Sequence, residues 1–229
     1  MTAAAPPISA APLALAGVSH EVAGARVLDD VSLTAPAGAV VAVVGPSGSG
    51  KTTLLAIAGG LLRPSAGRVL LGGDDLARAP ERVRERMRAR EIGFVFQGAN
   101  LAPFLTAERL VALGARLAGR PAAETRAEAA ALLAAVGLER RAGDRPGALS
   151  GGERQRLAVA AALAKRPRVL LADEPTAALD SERAREVMEL LGRLARERGA
   201  AVVLSTHDDR LLDLADRVLQ LRDGRLADG

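Results

Sequence analysis

The apolar run Ala39 to Val44 passes without a break into Gly45-Pro46-Ser47-Gly48-Ser49-Gly50-Lys51-Thr52-Thr53. Beyond it Leu54, Leu55, Ala58, Leu61 and Leu62 recur at helical spacing until Arg63-Pro64-Ser65-Ala66-Gly67 stops them. A buried strand, a glycine turn and a helix joined in that order leave few folds open. The turn matches G-x-x-x-x-G-K-[ST], in which backbone N–H groups and a helix N-terminus surround nucleotide phosphates. In this pattern Lys51 reaches the β- and γ-phosphates and the Thr52 hydroxyl ligates Mg²⁺. Of the 31 cationic side chains only Lys51 and Lys165 are lysines, and a compact ammonium that fits between phosphate oxygens is one chemical reason to keep a lysine at 51.

The rest of the chain supplies an α/β frame for this loop. Apolar runs at Leu13 to Val18 and Val27 to Leu33 predict strands, as do Arg68 to Leu71 and Ile92 to Phe96, with a charged helix over Glu81 to Arg90. Segments 106–118 and 122–136 are alanine-rich and helical in pattern, so a helical lobe is expected over about 98–165, inserted into a core formed by 13–97 and 166–229. Val169 to Ala172 and Ala201 to Leu204 read as buried strands with an amphipathic helix between them, the alternation of a parallel sheet. Residues 1–12, rich in Ala and Pro, read as a disordered tail.

Two further clusters carry chemistry. Four apolar residues deliver Asp173-Glu174 to the end of a strand, the edge at which α/β folds bind ligands. Asp173 suits a Mg²⁺ shell, and Glu174 is placed to orient or deprotonate an attacking water. Leu149-Ser150-Gly151-Gly152-Glu153-Arg154-Gln155 opens the helical stretch to Lys165. Ser150 and Glu153 make a capping box, but two adjacent glycines in a first turn lower helix propensity while baring N–H groups to an anion.

The loop Gly45 to Thr52, Gln97, the stretch Leu149 to Gln155, Leu171 to Pro175, Leu179-Asp180 and His207, in this order, resemble an ABC transporter ATP-binding subunit of the lipoprotein-release and macrolide-export subgroup. The resemblance extends from about Leu13 to the end of the chain. It implies a P-loop NTPase core with a parallel sheet, an N-terminal antiparallel β region and the helical lobe. It also implies ATP and Mg²⁺ as ligands and ATP hydrolysis coupled to transport. Two subunits would pair head to tail, Ser150, Gly151 and Gly152 of one closing on ATP held by Lys51 of the other, with Asp180 bridging the sites. By the same resemblance Gln97 senses Mg²⁺ and water, and His207 contacts the γ-phosphate. Gly98 to Thr106 is expected to expose Leu101, Phe104 and Leu105 to a membrane partner. Two positions depart from the family. Val22 stands where an adenine-stacking aromatic belongs, leaving His20 as the nearest flat side chain, and Ala161 stands where an arginine is usual.

Composition limits the partners. No run of about 18 apolar residues occurs, so the integral membrane permease that the resemblance implies is expected on a separate chain, with this chain peripheral on the cytoplasmic face of the cell membrane. Net charge is only +4, and the densest basic tract, Arg82 to Arg90, is interspersed with Glu81, Glu85 and Glu91, so nucleic acid is not an expected partner. A soluble ABC ATPase acting on ribosomes or DNA is the alternative. The sole asparagine, Asn100, leaves no Asn-Lys-x-Asp motif for guanine.

Overall fold

The computed structural model describes residues 11–177 and 179–228. Of the tail expected over 1–12, residues 1–10 lie outside the described residues. Ala11 is buried, and the Pro12 carbonyl accepts from the Gly72 amide at 2.9 Å. Strands β1 (Leu13–Val22) and β2 (Ala25–Ala35) form an antiparallel hairpin whose turn places Ala23 and Gly24 at positive φ, the geometry that matches strand twist. The chain then crosses to β3 (Val40–Val44), turns into α1 (Lys51–Ala58), and returns through β4 (Ala66–Leu71) and β5 (Asp74–Asp75). Helix α2 (Glu81–Glu91) leads to β6 (Ile92–Val95), and α3 (Ala107–Leu117), α4 (Ala122–Ala135) and α5 (Gly151–Leu163) make the helical lobe. β7 (Val169–Asp173), α6 (Ser181–Arg198), β8 (Ala201–Thr206), β9 (Arg217–Arg222) and β10 (Arg225–Asp228) complete the fold.

Two sheets result. One is antiparallel in the order β2-β1-β4-β5; the other runs β10-β9-β3-β8-β7-β6, parallel except for the β9–β10 hairpin. The parallel strands alternate their side chains between two cores. Val40 and Ala42, Leu170 and Ala172, Val202 and Leu204 join α6 and the helical lobe in one core. Val41 and Val43, Val169 and Leu171, Ala201 and Val203 join α1 and the antiparallel sheet in the other. A period of two along each buried strand thus sets one residue against the lobe and the next against the nucleotide helix.

The lobe is tied to the sheet by charge as well as packing. Glu128 of α4, 9% exposed, accepts from Arg198 at 2.5 Å, Arg166 at 2.7 Å and Arg120 at 3.2 Å. Burial alone would raise its carboxyl, but the three guanidinium hydrogen bonds outweigh it and hold the group at about 2. Arg198 lies at the end of α6, so this one carboxylate couples lobe and core.

Two expectations need correction. The helix after the glycine loop stops at Ala58 instead of reaching Leu62, because Gly59-Gly60 follow and Gly60 turns at φ 66°. Leu61 and Leu62 are consequently exposed rather than packed. Of Leu101, Phe104 and Leu105 only Phe104 is exposed, at 71%, whereas Leu101 and Leu105 are partly buried and pack against the lobe core. Ala161 lies half-buried on α5 against that core, and Gly114 of α3 passes over its carbonyl so closely that a larger residue at 114 has no room.

Candidate active site

The glycine loop leaves β3 and enters α1 with its tight spots filled by glycine. Gly50, the residue before α1, sits at φ 101°, and a Cβ there would lie 3.0 Å from both the Val27 carbonyl and Leu28 Cδ2. No side chain caps α1, so its first N–H groups stay available to an anion. Lys51 is 7% exposed and its Nζ donates to the Gly45 and Pro46 carbonyls at 2.8 and 2.9 Å. The Ser49 hydroxyl is buried without a hydrogen-bond partner, an unusual position that a phosphate oxygen would satisfy. The loop's donors and its lone ammonium fit a polyphosphate.

β7 and β8 meet the loop at the same sheet edge. Asp173 Oδ2 accepts from Thr52 Oγ1 at 2.9 Å, and Asp173 Oδ1 accepts from Ser205 Oγ at 2.6 Å. Thr52 and Asp173, the first two residues expected to hold Mg²⁺, are thus brought together. They are hard oxygen ligands, and among the described residues no cluster of three or more His, Cys, Asp or Glu could hold a metal unaided. That set fits Mg²⁺, which takes one or two protein ligands and fills its shell with phosphate and water. Gln97 lies just past β6 in a turn closed by the Ala99 amide on the Phe96 carbonyl at 3.0 Å, and its side chain is exposed.

Glu174 is the strained residue of the site. Its φ is 45°, rare for a residue with a Cβ, and its amide is held by Ser205 Oγ at 2.9 Å and the Ser205 carbonyl at 3.2 Å. This posture sets its carboxylate against His207, with Nδ1 3.3 Å from Oε1. A pocket of about 200 Å³ lined by Glu174, Thr176, His207 and Arg210 opens beside the pair. Ser205 is absent from the residues expected for the site. The available signal was a polar residue closing a buried strand, but only the β7–β8 register, Asp173 opposite Ser205, shows which carboxylate it serves.

Ser150, Gly151, Gly152 and Asp180 take no part in this cluster. Ser150 caps α5 in a full capping box, its Oγ accepting from the Glu153 amide at 3.3 Å and its amide donating to Glu153 Oε2 at 2.8 Å. Ser150 and Gly151 are both exposed, and the Ser150 hydroxyl keeps a donor that the cap does not use. Asp180 caps α6 through the Arg183 amide at 3.0 Å. At the base end, Val22 is 52% exposed and His20 is half-buried, and the register irregularity beside them places its extra residue, Val27, on β2.

A glycine loop feeding a buried lysine, an Asp-Glu strand end beside a histidine, and a glycine-opened helix inserted with the lobe define an ATP-binding cassette. The chain belongs to the ABC transporter family, whose model matches residues 28–177. It is an ATP-binding, ATP-hydrolysing subunit of that class. The lipoprotein-releasing system ATP-binding protein LolD of Ruegeria sp. (strain TM1040) is 49% identical to it over 214 residues, 93% of each chain. LolD 2 of Caulobacter vibrioides is 44% identical across 93% of this chain and 96% of its own. Among solved structures, the dimeric cassette MJ0796 in a post-hydrolysis state with ADP and Pi superposes with a TM-score of 0.84 at 37% identity, covering 94% of this chain and 98% of that one. The cbiO1 protein of Clostridium perfringens, part of an ABC transporter complex, superposes at 0.87 with 30% identity, covering 95% and 87%. These are transporter subunits, and they lend nothing to the ribosome- or DNA-directed alternative.

Proposed function

We propose that this chain powers a lipoprotein-releasing membrane complex, acting as a homodimer with two composite ATP sites and docking on a permease carried by a separate chain. The likeness to two LolD proteins across nearly the full length supports the choice of complex. Among the described residues no helix is long and apolar enough to cross a membrane, in keeping with a peripheral subunit on the cytoplasmic face.

The observation that carries the hydrolytic reading is the Glu174–His207 pair at 3.3 Å, fixed beside the Thr52–Asp173 pair by one serine. Lys51 releases the Gly45 and Pro46 carbonyls and engages the β- and γ-phosphates, joined by amides of residues 46–52. Thr52, Asp173 and Gln97 hold Mg²⁺, which neutralises phosphate charge when bound with ATP. Glu174 orients the attacking water and accepts its proton. His207 restrains the Glu174 carboxylate and donates toward the γ-phosphate. Ser150, Gly151 and Gly152 of the second copy close the site from the other side, with Asp180 lying between the two.

The test is recovery of the full chain from membranes under conditions that preserve complexes. An integral membrane protein in stoichiometric amount, and ATP-dependent release of a lipid-modified protein by the recovered complex, are expected. Recovery with ribosomes or DNA and no membrane protein would overturn the reading.

A further inference from the structure

Ser181 follows Asp180 and Asp208 follows His207, and the two pairs sit on different elements. One side chain joins them. Arg210 Nε and Nη2 donate to Asp208 Oδ1 and Oδ2 at 2.7 and 2.8 Å, a fork-on-fork pair, while Arg210 Nη1 donates to Ser181 Oγ at 2.6 Å. Asp208 is itself anchored, because its amide donates to Thr206 Oγ1 at 3.1 Å and Thr206 is buried at the end of β8. The guanidinium keeps the Asp208 carboxyl below the usual carboxylate range, so the strap stays ionised at neutral pH. Arg210 lines the 200 Å³ pocket together with Glu174 and His207.

We propose that Arg210 is a positioning residue for ATP hydrolysis, fixing the start of α6, and so Asp180, relative to the Glu174–His207 pair. The proposal rests on the composite-site reading given above. A planar guanidinium holding both oxygens of one carboxylate sets orientation as well as distance, and its remaining donor then fixes where Ser181 can be. Arg210 is exposed, so the strap contributes little to folding stability. Its effect falls on geometry. A displacement of about 1 Å in a reacting group lowers a rate up to about 100-fold. A strap from the histidine segment to Ser181, the residue after Asp180, couples arrival of the second copy to alignment of the hydrolytic pair.

The experiment measures kcat and KM for ATP, and Tm, on full-length variants as assembled dimers. Arg210→Ala is expected to lower kcat about tenfold with KM changed less than about twofold. Tm should stay within about 2 °C of the parent. Arg210→Lys, a point donor without the fork, should recover part of the loss. Ser181→Ala should give a smaller fall in kcat, and the double variant should be no slower than Arg210→Ala, the non-additivity of residues acting as one unit. An unchanged kcat in Arg210→Ala, a loss seen only in Tm or KM, or an additive double variant would overturn the proposal. Glu174→Gln is run beside them. If it turns over normally, the underlying site assignment fails and the strap with it. If it is inactive while Arg210→Ala matches the parent, only the strap fails.

Discussion

Lys51, Asp173 and Ser205 stand where β3, β7 and β8 reach one sheet edge, and hydrogen bonds that cross the sheet fix the last two to Thr52 and Glu174. Ser150 and Asp180 instead each precede a helix and are fixed by that helix's own first turn. The first group is a network whose members were assembled from distant parts of the chain. The second is a pair of helix starts, each capped within its own first turn and turned outward. On the composite-site proposal, a cassette built this way would hold nucleotide alone, while its hydrolysis would wait on a second copy to bring the outward groups in.

The sharpest way to break that contrast is Glu174→Gln. Removing the carboxylate leaves the phosphate-binding half whole, so ATP binding should persist while turnover falls about 1,000-fold, in the range for loss of a general base. ATP-held dimers should accumulate, measurable by size-exclusion chromatography. Turnover at the parent rate would remove Glu174 from its role.

Next in size is Glu128→Gln, which tests whether the lobe bearing Ser150 is held to the core by charge. The Glu128 carboxyl lies at about 2 in the fold against an ordinary 4.5, so its contribution is complete above about pH 4.5 and disappears as pH falls through about 2. A shift of that size corresponds to about 3 kcal/mol at neutral pH. Thermal unfolding of the variant at pH 7 should come roughly 10 °C earlier, and the gap from the parent should narrow below pH 4.5. An equal gap at pH 7 and pH 3 would assign the loss to packing instead.

Ser150→Gly separates the two halves more finely. Glycine keeps most of the cap, within a few tenths of a kcal/mol, but removes the hydroxyl. Nucleotide affinity of the dilute monomer should be unchanged, and ATP-driven dimerisation should weaken about tenfold, the worth of one hydrogen bond to a charged group. A parallel fall in monomer affinity would place Ser150 in its own chain's site. The smallest effect is expected at the base. His20→Ala should weaken ATP binding about threefold if its ring packs on adenine, the lower part of the range for aromatic pairs. No change in affinity or in preference over GTP would exclude it.

How much of this could be read from residues alone follows the same division. The loop, the Asp173-Glu174 pair and the signature stretch were legible because each lies within one short segment whose neighbours announce a strand or a helix start. Ser205 and Arg210 were not, since their partners lie on other elements, 32 residues away for Asp173 and 29 for Ser181. Glu128 is a clearer case still. It looks like one more surface charge on an alanine-rich helix, and only the fold brings Arg166 and Arg198 to it from 38 and 70 residues away. The end of α1 has a local cause, because the helical spacing of leucines continues past a Gly-Gly pair that stops the helix.

The scarcity of lysine gives this protein a built-in chemical reporter. Amine-directed reagents have two lysine targets, and only Lys51 lies in the glycine loop; Lys165, half-buried and bonded to the Ile92 carbonyl at 3.2 Å, lies beyond α5. A reactive nucleotide analogue would therefore tag Lys51 against an almost silent background of arginine. The rate of that tagging would read site occupancy in an intact membrane complex without any engineered label.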